Sequence, residues 1–186
     1  VFIYQYDPTG ISPVWNLISP LAGSLIASFF GKSVSFSADG KILAVGATNL
    51  SFGGAVAIGE VIIYQNNSTN NQWDIQLGSN IYGEVAYDFF GYSVSLSADG
   101  TIIAIGAPRL ATTNIDTVGY VKIFKYNGSD WDILGSSIDG NSGGKNFGHS
   151  ASLSANGKIV AIGSPNIQNT NNEKGYVKIF QRDESA

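Results

Sequence analysis

The alternation of apolar and polar positions along the chain follows one pattern that occurs three times, about every 60 residues. In the middle copy, residues 89–108, serine alternates with valine or leucine up to a turn at Ala98-Asp99-Gly100, and an unbroken apolar run follows. Residues 29–47 and 147–165 repeat this order. The alternation predicts a strand with one packed face, and the unbroken run predicts a strand covered on both faces.

Each repeat continues with two more predicted strands, the last of which carries a tryptophan. The four strands of the middle copy are predicted at Ser93–Ser97, Ile102–Ala107, Tyr120–Tyr126 and Asp130–Ser136. No segment shows a helical period. Four antiparallel strands, repeated at this length, are typical of propeller blades. The sequence therefore predicts an all-β fold built of β-propeller blades of four antiparallel strands, with about three repeats of roughly 60 residues.

The predicted organisation is one β-propeller repeat region over residues 1–186. It divides into a partial blade at 1–22, blades at 29–81 and 89–138, and a partial blade at 146–182. Three blades are fewer than the four to eight of known propellers. The region is therefore expected to belong to a larger or oligomeric propeller, with its terminal strands covered by further blades in cis or by a second copy.

The repeat also predicts which residues hold the blades together. The serine-rich first strand is expected at the crowded axis, and the tryptophan of the fourth strand is expected to fill a gap between blades. The Phe-Gly pair at the start of each repeat predicts a buried ring beside a glycine that allows close backbone approach. The predicted structural repeat anchors are Phe30, Gly31, Phe90, Gly91, Phe147, Gly148, Trp15, Trp73 and Trp131.

Composition excludes several kinds of function. A net charge of −4 and a pI near 4.8 argue against nucleic-acid binding, and no apolar run is long enough for membrane insertion. There is no cysteine, so disulfides and thiolate chemistry are excluded. The one histidine, His149, occupies the position held by Lys32 and Tyr92 in the other repeats, which indicates a structural role.

The acidic residues offer no clear acid–base pair. They are predicted to lie in turns or on solvent-facing strand positions, where they would be hydrated. These acidic residues are Glu84, Asp88, Asp116, Asp132 and Asp139. The sequence thus predicts no catalytic residue, no cofactor and no metal, and a protein that is not an enzyme.

Each Phe-Gly pair is followed by Gly46-Ala47, Gly106-Ala107-Pro108 or Gly163-Ser164-Pro165. These elements resemble the FG-GAP class of β-propeller repeats, which occurs in integrin α-chain heads and many extracellular proteins. The resemblance covers nearly the whole chain, and the closest likeness is to a tryptophan-containing variant with the stretch "FGxSVSLSADG". Calcium-binding blades of that class carry an Asp-x-Asp-x-Asp-Gly loop. Here the corresponding hairpins keep one carboxylate, Asp39 or Asp99, and the third has Asn156 instead. The resemblance therefore implies the fold without the calcium site.

The function expected from the family is a non-catalytic structural or adhesive interaction module of an extracellular or particle-surface protein, with a protein or glycan partner. Glycosylation sequons at Asn49, Asn66, Asn67 and Asn127 fit that location. Two alternatives stay open, a carbohydrate-binding propeller and an accessory propeller of a larger enzyme. A lectin would need the same aromatic and polar set on one loop of each blade, and the loops differ from copy to copy.

Overall fold

The computed structural model describes residues 1–9, 14–23, 25, 28–51, 56–109, 118–141, 146–165 and 174–183. Within these ranges the chain forms strands and turns, with no helix, arranged in four antiparallel sheets. The all-β prediction is confirmed. No described helix could cross a bilayer.

The four sheets follow one another along the chain. The first sheet pairs β1 (Phe2–Asp7) with β2 (Val14–Pro20). The second has the order β3 (Phe30–Phe36), β4 (Ile42–Ala47), β5 (Glu60–Asn67) and β6 (Gln72–Gln76), with β7 (Ile81–Tyr82) also beside β5. The third repeats this order with β8 (Ser93–Leu96), β9 (Ile102–Ala107), β10 (Tyr120–Tyr126) and β11 (Trp131–Ile133), and β12 (Ile138–Asp139) lies beside β10. The fourth consists of β13 (Ser150–Leu153), β14 (Ile159–Ser164) and β15 (Tyr176–Gln181).

Two strands of the third sheet, β9 and β10, have the bounds that the sequence predicts. The fourth strand of the third sheet, β11, is shorter than expected and spans only Trp131–Ile133. The strands β7 and β12 were not predicted. Each has two residues, too few for a period of two to be recognised.

The hairpin between the first two strands of each repeat is closed by one acidic or amide side chain, Asp39, Asp99 or Asn156. Asp99 Oδ1 accepts from Ser97 Oγ at 2.6 Å and from the Thr101 amide at 3.0 Å. The hydrogen bond from Ser97 is the main cause that lowers the pKa of Asp99 below its ordinary value. In the last repeat Asn156 accepts the equivalent bond from Ser154 Oγ at 2.8 Å, because a side-chain amide oxygen serves the same turn.

Successive sheets pack face to face through apolar layers. Between the second and third sheets, Val61 and Ile63 pack with Phe90, Ile103 and Ile105, and all five are almost fully buried. Equivalent layers join the first sheet to the second and the third to the fourth. A single sheet would expose one or both of these faces, so the stack is the unit of stability.

The serine-bearing first strands lie on the inner side of the stack. There β8 contacts both β3 and β13, whereas the backbones of the outer strands of successive sheets lie farther apart. Ser33 Oγ donates to the Gly91 carbonyl at 2.7 Å, and Ser93 Oγ donates to the Gly148 carbonyl at 2.9 Å. The backbones come so close that a Cβ on Gly46 would lie 2.1 Å from the Gly91 oxygen.

The predicted anchors differ in burial according to their sheet. Phe90 and Phe147 are 0% and 1% exposed, while Phe30 is only partly buried. The glycines that follow, Gly31, Gly91 and Gly148, all have positive φ, between 83° and 92°.

The tryptophans differ in the same way. Trp73 and Trp131 are buried, and the Trp131 indole donates to the Leu77 carbonyl of the preceding sheet at 2.8 Å. Trp15, in the first sheet, is 68% exposed and fills no gap between sheets in the described part of the chain. Each buried tryptophan packs on the sheet before its own, and among the described residues no sheet precedes the first.

Candidate functional site

A buried carboxylate organises one end of the third sheet. Asp88 is fully buried, and its Oδ2 accepts from the amides of Glu84 and Val85 at 3.0 Å each. The same oxygen accepts from the Tyr120 hydroxyl at 2.8 Å, and Oδ1 accepts from Arg109 Nε at 2.8 Å. The prediction that Asp88 is a hydrated loop residue was wrong, because four donors replace water around it.

Three separate elements bring these donors together. Glu84 and Val85 lie in the loop that follows β7, Arg109 comes just after β9, and Tyr120 begins β10. In the sequence they are too far apart for any motif to group them. The one available signal was position, since Asp88 directly precedes the repeat's Phe-Phe-Gly segment.

The electrostatics of the cluster keep Tyr120 protonated. Burial is the main cause that raises the pKa of this phenol, and the negative charge of Asp88 adds to it. The Arg109 guanidinium lies 5.0 Å from the centre of the Tyr120 ring and acts weakly in the opposite direction. Tyr120 therefore serves as a fixed hydrogen-bond donor and not as a base.

A polar cleft opens beside this cluster. Glu84 in its wall forms an ion pair with Lys122, and the Glu84 side chain is largely exposed. The cleft holds about 460 Å³. It is lined by Glu84, Arg109, Val118, Tyr120, Ser137, Asp139 and Gly140. Positively and negatively charged side chains both line the cleft, so it suits a polar or charged group of a partner.

A second candidate lies along the inner side of the stack, where the residue after each Phe-Gly pair meets its equivalents. Lys32 Nζ lies 4.2 Å from the centre of the Tyr92 ring, and the rings of Tyr92 and His149 are 4.7 Å apart. We call these three residues the axial row. Burial, and secondly the charge of Lys32, lowers the pKa of His149 below its ordinary value. The imidazole is therefore neutral at neutral pH.

Of the remaining acidic residues, Glu84 and Asp139 line the same cleft, and Asp132 lies on β11. Asp132 and Asp139 are exposed, and Glu84 contributes to the ion pair on the rim of the cleft. Asp116 lies outside the described residues. No group of three or more histidine or acidic side chains in the described ranges could hold a metal ion.

Comparison with solved structures identifies the fold. The chain resembles the periplasmic gluconolactonase of Pseudomonas aeruginosa, with a TM-score of 0.57 and 14% identity over 95% of this chain and 45% of that one. It also resembles prolyl oligopeptidase B of Galerina marginata, with a TM-score of 0.52 and 14% identity over 92% of this chain and 24% of that one. Both have propeller-type folds. The four sheets are therefore blades of a β-propeller-type fold, as the sequence predicted.

The chain spans less than half the length of each of these proteins. No family model matches the sequence, and no curated protein matches it. The coarser part of the family prediction, a propeller, is confirmed, whereas membership of the FG-GAP class stays a prediction.

The comparison corrects one prediction about function. The absence of cysteine and the single histidine predicted a protein that is not an enzyme. Two of the solved structures that share the fold are a lactonase and a peptidase, so this fold occurs in enzymes as well as in binding proteins. The exclusion of an enzyme was wrong. At 14% identity the likeness shows the fold alone, and it carries no residue role to this chain.

Proposed function

We propose that the chain is an accessory propeller of a larger enzyme, a rigid stack of sheets on which a catalytic unit is held. The observation that carries this proposal is the match to less than half of a gluconolactonase chain and a quarter of a prolyl oligopeptidase chain, both with propeller-type folds. The matches cover 95% and 92% of this chain, whose described residues form the stack of sheets.

The polar cleft beside Asp88 is the surface we assign to contact with the catalytic unit. Asp88 fixes the 84–88 loop by two backbone hydrogen bonds, so the cleft rim is ordered before any partner binds. A preorganised rim loses little conformational entropy on binding. The exposed carboxylate of Glu84, held by Lys122, presents a charge at a set position to a basic group on the partner.

The test uses the native protein from its source, isolated with an antibody against the exposed hairpin at residues 66–72. We expect the isolated protein to carry hydrolytic activity toward lactone or peptide substrates, in a polypeptide or complex larger than 19.6 kDa. A native protein or complex larger than 19.6 kDa that hydrolyses neither lactones nor peptides would contradict the proposal.

A matched pair of variants tests the cleft. Glu84→Gln together with Lys122→Gln removes the ion pair at the cleft and should raise KM or weaken binding of the catalytic unit. Lys41→Gln is the control, because Lys41 lies in the hairpin at the opposite ends of the strands. An equal effect of both variants would argue against a role for the cleft.

An adhesive or structural role and a glycan-binding role stay predictions, and neither gains support from the comparisons. The axial row bears on the second, since its three equivalent positions carry a lysine, a tyrosine and a histidine. A lectin that repeats one binding site per blade would need one residue type there. Binding of the purified chain to a glycan array would reopen that possibility.

A further inference from the structure

We propose that the first two sheets together form a binding site for a two-stranded β-hairpin. This hairpin would correspond to the first and second strands of a repeat, and we call the binding site the slot. In the other three sheets the third strand pairs inward with the second strand, as β5 pairs with β4, β10 with β9 and β15 with β14. Among the described residues, β1 pairs only with β2, on its outer side. The inner edge of β1 is therefore an open sheet edge, and such edges accept further strands.

The back of β3 gives a second, independent observation. Val34 and Phe36 are 51% and 47% exposed, whereas the equivalent Val94 and Leu96 of the next repeat are 8% and 7% exposed. Val94 and Leu96 are buried because the inner strands of the preceding sheet cover them. No strand in the described ranges covers Val34 and Phe36.

The uncovered patch has a defined boundary. One strand further out, Leu43 and Val45 are 1% and 0% exposed, because the first sheet lies over them. The patch therefore corresponds to the inner strands alone, and it adjoins the open edge of β1. An inserted hairpin would pair with β1 and cover Val34 and Phe36 at once.

Polar groups on β3 point to the same occupant. Each later repeat bonds to the one before it, as the Leu96 amide donates to Ser35 Oγ at 3.0 Å and the Leu153 amide donates to Ser95 Oγ at 2.9 Å. The equivalent group of β3 is the Phe36 amide, which makes no such bond to a serine in the described part of the chain. The occupant should therefore present a serine at this position.

The space around Gly31 specifies the second strand of the occupant. Gly91 lies so close to Gly46 of the preceding repeat that a Cβ on Gly46 would be 2.1 Å from the Gly91 oxygen. A Cβ on Gly31 would meet only Val1, at 3.0 Å. The place that Gly46 takes against Gly91 is thus open against Gly31, and only glycine fits such an approach. The occupant is a hairpin with a Ser-x-Ser strand and a strand that ends in Gly-Ala.

The experiment supplies that hairpin in cis. A copy of residues 88–120 is fused directly before Val1, so that Val1 follows the copy as Val121 follows Tyr120. We expect the urea midpoint to rise by roughly 1 M, because Val34, Phe36 and the edge of β1 become buried. The amides of β1 should also exchange more slowly with deuterium. The control is the same extension with Gly106→Val in the copy, which would collide with the Gly31 carbonyl.

Each result decides the proposal. A rise with the extension and none with the valine control supports it, and no rise, or an equal rise in both, overturns it. Phe36→Ser gives a check that does not depend on the control, since it should destabilise the extended chain more than the chain without the extension. If light scattering shows that the unextended chain is a dimer with β1 already protected, a second copy occupies the slot and the proposal is overturned.

Discussion

The inner and outer sheets of this molecule differ in burial although their third strands are nearly the same in sequence. Ile63 and Ile123 are 1% and 9% exposed, whereas Ile179, the equivalent residue of the fourth sheet, is 72% exposed. Val121 and Val177 differ in the same way, at 0% and 67%. The difference lies in the neighbours, because a further sheet follows the second and third sheets but none follows the fourth among the described residues. Burial in a repeat array is thus a property of the interface and not of the strand.

The largest expected effect comes from the centre of the stack. Phe90→Ala should lower the free energy of unfolding by about 3–5 kcal/mol, because it removes a fully buried ring between the second and third sheets. Phe2→Ala is the control, since Phe2 is 67% exposed, and it should change the free energy by no more than about 0.5 kcal/mol. Urea denaturation measures both. A similar loss in the free energy of unfolding for the two variants would contradict the difference in burial between the inner and outer sheets.

Ile123 and Ile179 occupy the same position of the repeat, so they test the difference in burial between an inner and an outer sheet directly. Ile123→Ala should cost about 2–5 kcal/mol, whereas Ile179→Ala should cost about 0.5 kcal/mol or less, since Ile179 has little contact to lose. The measurement is the shift of the urea midpoint at constant slope. A large loss for Ile179→Ala would mean that its face is covered in solution.

The tryptophans extend the comparison to the fourth strand. Trp131→Phe should cost about 1–2 kcal/mol, because it removes the hydrogen bond to Leu77 and leaves part of the site unfilled. Trp15→Phe should have almost no effect, because Trp15 is 68% exposed and its ring contacts only Tyr6 among the aromatic residues described. Thermal unfolding of both variants checks this, and equal shifts in Tm would contradict it.

The smallest expected effect is a pH dependence at the axial row. The pKa of His149 is lower in the folded chain than the ordinary 6.5, so between these two values the unfolded chain binds more protons. Stability is therefore full above about pH 6.5 and falls as the pH drops through the folded pKa, by less than about 1 kcal/mol because the ring is only partly buried. His149→Gln should abolish this dependence, and Lys32→Gln should reduce it. Urea midpoints between neutral and mildly acidic pH would show whether the slope persists in His149→Gln.

Much of the fold was predictable because it follows from local pattern. The strands β9 and β10 follow from apolar and alternating runs, and the hairpin at Asp99-Gly100 follows from turn chemistry. These features depend on residues close in sequence, and their repetition along the chain reinforces each one.

The candidate site was not predictable in the same way. Asp88 is buried because Arg109 and Tyr120 reach it from other elements, and no sequence pattern records that meeting. The axial row was visible as an equivalent position of the repeat, but the contact between Tyr92 and His149 depends on how closely successive sheets pack. The exposure of Trp15 likewise depends on the absence of a sheet before the first in the described part of the chain, which the residue's own surroundings in the sequence do not reveal.

The glycines near the ends of the second strands, Gly46, Gly106 and Gly163, can show whether another sheet packs against the fourth sheet. A methyl group on Gly46 or Gly106 would collide with a backbone carbonyl of the following sheet, at 2.1 Å in both cases. At Gly163 the nearest atom is the Ser150 side-chain oxygen at 2.3 Å, which can rotate away. Alanine at residue 163 is therefore tolerated as long as the fourth sheet ends the stack and becomes harmful once another sheet docks against it. One methyl group thus distinguishes a terminal blade from an internal one in any setting where the protein is expressed.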